Sequence, residues 1–144
     1  MSLHNEIGKI GEDLARKYLE KEGYKIIDQN YKTKYAEIDL IALRQAQGKP
    51  KNILENIFSS KQDILVFVEV RTKIGENFGS PEDTLDRKKL HKVLHNATTY
   101  TAFKRWNGPC RIDAICIVLK PLRPGSGQAN YSVLRLTHHE NIIS

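Results

Sequence analysis

Ala36-Glu37-Ile38-Asp39-Leu40-Ile41 and Leu65-Val66-Phe67-Val68-Glu69-Val70-Arg71 are two short runs of branched and aromatic residues, each with a carboxylate inside it. Both read as β-strands. Side chains alternate faces along a strand, so Glu37 and Asp39 share one face, and Phe67, Glu69 and Arg71 share one face of the other. Pairing of the two strands sets Asp39 beside Glu69. Carboxylates at that distance repel unless a cation lies between them. The two strands therefore point to a metal site.

Working outward, His4 to about Glu22 is predicted as an amphipathic helix, with Ile7, Ile10, Leu14, Tyr18 and Leu19 at helical spacing and Gly23 as its stop. Gly8 and Gly11 fall on or near its apolar face. A glycine weakens a helix interior by about 1 kcal/mol, so close backbone packing is the expected compensation. Glu12 lies at the edge of that face and points toward the sheet. Tyr24–Tyr31 reads as the first strand, and Lys32-Thr33-Lys34 as a basic turn. The acidic strands follow at about 36–43 and 64–72. The interval from Arg44 to Gln62 is long for a hairpin connection. Its Ile53, Leu54, Ile57 and Phe58 suit a short amphipathic helix, read as a surface insertion or, more sharply, as a partner or dimer contact.

Ser80-Pro81-Glu82-Asp83 predicts the start of a second helix, with Ser80 as N-cap and acids in the first turn. The helix is expected to run to about Lys104, with Leu85, Leu90, Val93, Leu94, Ala97 and Tyr100 as its buried stripe. Lys89 falls inside that stripe, where an ammonium must snorkel out or meet an anion. Gly108-Pro109 reads as a turn, Arg111–Leu119 as a fourth strand, Pro121–Gly127 as a loop and Tyr131–Leu136 as a last strand. The terminus is expected to fray.

The 144 residues are 40% hydrophobic and 28% charged, ordinary for one globular domain. No apolar run reaches the ~20 residues of a membrane span. Met1-Ser2-Leu3-His4-Asn5-Glu6 lacks the features of a secretory signal. Cys110 and Cys116 do not make a disulfide framework, and Cys116 reads as a small buried hydrophobe. The cytoplasm is the expected compartment. The formal net charge of +6 is compatible with nucleic acid. A basic chain with a local acidic cluster suggests a polyanion held next to a metal.

The acids Glu12, Glu37, Asp39 and Glu69 are the residue types that a metal-dependent phosphodiester nuclease needs. Hard carboxylate oxygens hold Mg²⁺ or Mn²⁺, which acidifies a water and neutralises charge on the phosphate. His91 and His95 lie one turn apart, but no third ligand accompanies them, so they read as a solvated face.

Gly8-Lys9-Ile10-Gly11-Glu12, Glu37-Ile38-Asp39-Leu40-Ile41, Val66-Phe67-Val68-Glu69-Val70-Arg71, Lys89 and Cys110-Arg111-Ile112-Asp113 together resemble the YraN-like family of small, poorly characterised bacterial proteins. That family is similar to the PD-(D/E)XK nuclease superfamily, notably the Holliday-junction resolvases. The resemblance covers about residues 5–119 apart from 44–62. It implies an α/β, restriction-endonuclease-like core: a helix, a three-stranded mixed or antiparallel sheet, a helix, and one or two further strands. Residues 1–144 would form a single nuclease-like domain with an insertion at about 44–62 and a C-terminal strand plus tail at about 121–144.

By position, the resemblance makes Asp39 and Glu69 the metal-binding acids, with the carbonyl of Val70 as a further ligand and Glu12 near the metal. Glu37 matches the family's strand glutamate, without an assigned role. Two departures stand out. Arg71 occupies the place where most active nucleases carry lysine, although the YraN-like family itself usually has arginine there. Ala36 replaces a glycine of similar size. Arginine stays protonated, so Arg71 can clamp a phosphate but is a poor base. Lys89, aimed at the sheet, is the better source of an amine than Lys73 at a strand end.

The implied activity is a metal-dependent DNA endonuclease, resolvase-like, with Asp39, Glu69, Glu12, Arg71 and Lys89 in the site. Lys32, Lys34, Arg71, Lys73, Arg87, Lys88 and Lys92 would track the nucleic-acid backbone. A branched substrate is implied by the resolvase likeness, and a symmetric junction favours a homodimer. Two other readings stay open: a nucleic-acid-binding module without turnover, motivated by Arg71, and a protein-interaction adaptor, motivated by the apolar insertion. In a metal-free alternative, Asp39 and Glu69 are ion-paired to Arg71 and Arg111. Arg111 and Asp113 themselves read as a structural ion pair.

Overall fold

In the computed structural model, which describes residues 2–46, 62–122 and 130–143, the chain begins with helix α1 over Leu3–Lys21. Ser2 caps it by accepting the Asn5 amide at 3.2 Å. Ile7, Gly11, Ala15 and Leu19 are buried at a spacing of four, which makes one apolar stripe. Gly23 ends the helix with φ of +91°, a conformation that suits glycine.

Three strands follow: β1 (Tyr24–Lys32), β2 (Glu37–Arg44) and β3 (Ile64–Ile74). After a 3-10 turn over Pro81–Thr84 come helix α2 (Arg87–Lys104), β4 (Cys110–Pro121) and β5 (Tyr131–His139). The strands form one sheet in the order β1-β2-β3-β4-β5. Only β3 and β4 are parallel, and α2 makes the crossover between them. Among the described residues, this five-stranded mixed sheet with two helices is α/β, the arrangement of a restriction-endonuclease-like core. Among the described residues no helix is long and apolar enough to cross a membrane.

Alternation along the strands builds two cores. Leu40, Ala42, Val66, Val68, Ile115, Ile117 and Leu119 pack with Ile7, Ala15 and Leu19 of α1. Ile41, Leu65, Phe67 and Ile112 pack with Val93, Ala97 and Tyr100 of α2. Gly11 faces β3 so closely that a Cβ there would lie 1.7 Å from Thr72 Oγ1. Gly8 differs from the expectation: a Cβ there would meet nothing within 4 Å.

The second helix also differs. Ser80 and Pro81 open the 3-10 turn rather than α2, and the chain leaves helical geometry at Leu85 (φ −92°, ψ 72°). Asp86 then caps α2 by accepting the Lys89 amide at 2.8 Å. Both Ser80 and Asp86 are good caps, and the two-residue break lets the turn and the helix pack at different angles. Leu85 thus lies outside α2, Leu94 is 41% exposed, and Asn96 joins Val93, Ala97 and Tyr100 in the buried stripe. The apolar run 53–58 and the loop residues 123–129 lie outside the described residues.

The last strand extends past Leu136 because His138 and His139 pair with Ile115 and Ala114 of β4. Asp113, with no exposed surface, organises this corner. It accepts from Arg111 Nε and Nη2, both at 2.8 Å, from the Asn141 amide at 2.9 Å, and from His138 Nε2 at 2.7 Å. An ionised carboxylate only accepts, so Nε2 carries a proton, and Nδ1 is hydrogen-bonded with the Tyr18 hydroxyl at 3.1 Å. Burial works to raise the Asp113 carboxyl, but these donors outweigh it and hold the group below the usual aspartate range. The residues after β5 dock rather than fray, with the Ile142 amide donating to the Ile112 carbonyl at 2.8 Å.

Gly8→Ala should raise stability by up to about 1 kcal/mol through helix propensity. Gly11→Ala should lower it by about 1–3 kcal/mol, because α1 or β3 must shift. Asp113→Ala leaves Arg111 and His138 without their buried anion and should cost about 3–5 kcal/mol. Urea unfolding midpoints of the three variants measure this order; Gly8→Ala and Gly11→Ala behaving alike would contradict it.

Candidate metal centre

The antiparallel β2–β3 ladder ends at the Leu40–Val68 pair. Past that point the strands part, and the Val70 amide donates instead to Asp39 Oδ2 at 2.8 Å. A side chain thus takes the place of the next ladder partner, which fixes the Asp39 carboxylate at the fork. Glu69 is the residue opposite in the continued register, and the charge of Asp39 acts on it.

Asp39 stands between two groups. On one side are Glu12 from α1 and Glu37 from β2; with Asp39, each offers a carboxylate oxygen within 4.8 Å of the others. On the other side is Glu69, 2% exposed, whose Oε1 lies 3.2 Å from Arg71 Nη2 and 3.3 Å from Lys89 Nζ. Its Oε2 is buried without a partner, as are Arg71 Nε and Thr72 Oγ1. Glu12, Val70, Arg71, Thr72 and Lys73 line a cleft of about 260 Å³ between α1, β3 and the 3-10 turn.

The acids are electrostatically strained. Burial, then the charges of Asp39 and Glu37, push Glu12 up to about 7. Burial and the Asp39 charge push Glu69 up to about 7, against the pull of Lys89 and Arg71. Asp39 is also raised by burial, opposed by the Val70 amide and Lys89. Of the ion pairs expected in the metal-free alternative, Glu69 pairs with Arg71, with Lys89 added, whereas Arg111 belongs to Asp113.

Sequence reasoning missed Asn30. It sits in β1 at φ 52°, in the left-handed region that asparagine tolerates. With its amide nitrogen toward the acids it donates to Glu37 Oε1 at 2.8 Å and Glu12 Oε2 at 3.2 Å. The signal was a residue that favours left-handed turns, set inside a strand pattern. Of the basic residues expected on nucleic acid, Lys32 lies 3.9 Å from Glu37, Lys34 sits over the Tyr35 ring, and Lys73 donates to the Phe78 carbonyl. Arg87, Lys88 and Lys92 are exposed on α2.

A second group, Glu82, Cys116 and His139, also brings metal-binding atoms within 4.8 Å. Arg135 already fills it: its guanidinium reaches both Glu82 oxygens, at 2.8 and 3.0 Å. Arg135 and then His139 hold Glu82 down to about 2, and burial pushes the Cys116 thiol up to about 12. These groups clasp the 3-10 turn to β5.

Because Glu12 and Glu69 bind protons more tightly folded than unfolded, they favour the fold below their ordinary value of 4.5, and that contribution is lost as pH rises through about 7. In EDTA, unfolding free energy should therefore fall across this window, and Glu12→Gln should flatten the fall. A pH series of urea melts tests it; identical slopes in the two proteins would refute it.

The family model described as "Uncharacterised protein family UPF0102" matches residues 11–117. A UPF0102 protein of Flavobacterium johnsoniae is 38% identical over 104 residues, 72% of this chain and 71% of its own length. One of Caldanaerobacter subterraneus subsp. tengcongensis is 38% identical over 118 residues, 80% and 81% of the two chains. One of Lawsonia intracellularis is 34% identical over 141 residues, 96% and 85%. The chain belongs to the uncharacterised bacterial family UPF0102, the YraN family.

Proposed function

We propose that this protein is a divalent-metal-dependent DNA endonuclease, resolvase-like, that hydrolyses phosphodiester bonds. The observation that carries the reading is the convergence of Glu12, Glu37 and Asp39 oxygens within 4.8 Å, next to the buried Glu69. Hard oxygen donors at this density fit Mg²⁺ or Mn²⁺. The buried Glu69 Oε2, which has no hydrogen-bond partner, offers a further oxygen for the ion.

Asp39, Glu69 and Glu12 would hold the ion, with the Val70 carbonyl beside them. Glu37 joins Glu12 and Asp39, and Asn30 orients both glutamates. A bound ion supplies Lewis-acid polarisation of the phosphate and an acidified water. Arg71 and Lys89 share one oxygen of Glu69, so each can turn a charge toward an arriving phosphate. Arg71 remains a fixed cation, whereas the Lys89 amine can give or take a proton. The basic side chains Lys32, Lys34, Lys73, Arg87, Lys88 and Lys92 would track the DNA backbone, and a homodimer would match a two-fold junction.

A second reading, DNA binding without turnover, is favoured by one observation: Arg71 and Lys89 already neutralise Glu69. Labelled four-way, flapped, single-stranded and linear DNA, each with Mn²⁺, Mg²⁺ or EDTA, separates the two. The expected result is metal-dependent cutting, reduced more than about a hundredfold by Asp39→Ala or Glu69→Ala, since even partners behind a metal ligand matter 10–100-fold. Lys89→Ala should slow cutting by about a hundredfold. Salt-sensitive binding without cutting in any metal would replace the nuclease with the binding module.

A further inference from the structure

Phe78 is 97% exposed. It stands at the tip of a short loop between Gly75 and Gly79, both at positive φ (66° and 100°). The loop is tied down on each side. Lys73 Nζ donates to the Phe78 carbonyl at 3.3 Å, and the Ser80 amide donates to Asp83 Oδ2 at 2.9 Å. Glu76 is ion-paired to Arg135 of β5, and Asn77 bridges to Gly79. This tip is a built feature, and it holds a phenyl ring out in water.

Water is a poor environment for such a ring, so the loop carries it for something that arrives. Among the described residues, the other exposed aromatic rings are engaged. Tyr35 packs edge-on against His95 at 5.2 Å under Lys34, and Phe103 has Lys104 Nζ 5.7 Å from its centre. Among the described residues, Phe78 has neither a ring nor a cation partner. Its anchor Lys73 lines the same cleft as Arg71 and Glu12, which ties the backbone of the loop tip to that cleft.

We propose that Phe78 stacks on an unpaired or unstacked base of DNA whose phosphate lies in this cleft. The proposal rests on the reading of the cleft as a DNA site, and it names the substrate feature: a branch point, bulge or flap. Every base has a π-face, so one aromatic ring provides such a contact without sequence preference. Bases that are already unpaired cost least to capture. A protein partner fits the tip less well. Protein interfaces centre on a wider apolar patch, whereas Glu76, Asn77, Gly79 and Ser80 around this ring are polar or small.

The test uses 2-aminopurine at the branch point of a four-way junction, and the same label inside a linear duplex, both titrated in Ca²⁺. The wild-type protein should change the fluorescence of the junction and leave that of the duplex. Phe78→Ala should weaken junction binding about tenfold and remove the change, with duplex affinity kept. Phe78→Trp should restore both. Wild-type affinity and signal in Phe78→Ala would overturn the proposal and assign the ring to a protein contact. An equal loss on junction and duplex would also overturn it. Because cutting is not read here, a Phe78-dependent signal in a protein that cleaves nothing removes the nuclease and keeps this inference. Cleavage with no Phe78 dependence does the reverse.

Discussion

The bond from the Val70 amide to Asp39 is the constraint from which the site follows. A sheet that splits must satisfy the backbone groups it abandons, and here an aspartate side chain does so. That bond holds Asp39 at the fork and favours its charged form, while burial, the larger effect, raises its carboxyl. Every other acid then has to settle around a carboxylate that cannot move away. Glu37 reaches it from the same strand, Glu12 from the helix across the sheet face, and Glu69 from the strand opposite. Gly11 has a part in this, since its missing side chain lets α1 approach Thr72 of β3 and carries Glu12 in with it.

Four carboxylates facing three cations, Arg71 and Lys89 on Glu69 and the exposed Lys32 near Glu37, leave the cluster short of positive charge. The protein meets part of the deficit with neutral chemistry. Asn30 donates two hydrogen bonds, and the raised affinity of Glu12 and Glu69 for protons lets one acid hold its neighbour's charge at bay. Protons and an amide satisfy hydrogen bonds but add no fixed charge. A divalent ion would remove the same repulsion without protonating any ligand, and this is the physical basis of the functional reading.

The strands, the two described helices and the placing of Asp39 opposite Glu69 were legible because they rest on local patterns: alternation, four-residue spacing and acids in apolar runs. Lys89 was legible for the same reason, as a charge in a buried stripe. What was hidden depends on choices the local pattern leaves open. Ser80 and Asp86 both look like helix starts, and only the packed chain uses the first for a 3-10 turn and the second for α2. Asn30 becomes a site residue through a left-handed kink that its neighbours in sequence do not announce. Arg135 and Glu82 lie more than fifty positions apart, as do Tyr18 and His138, so no window of sequence contains their contact.

Asp113 and Glu69 make an internal comparison. Both sit in adjacent parallel strands, both are buried, and each has an arginine two positions away. Asp113 receives donors on both oxygens, and its carboxyl is held below the usual range. Glu69 has two cations on one oxygen, nothing on the other, and a carboxyl pushed up to about 7. The fold is therefore capable of satisfying a buried acid completely, and it does so where the acid only joins strands. Glu69 is left half satisfied, next to Asp39 and paired to Arg71, which lines an open cleft, and this contrast supports the proposal that a group from outside the chain completes the site.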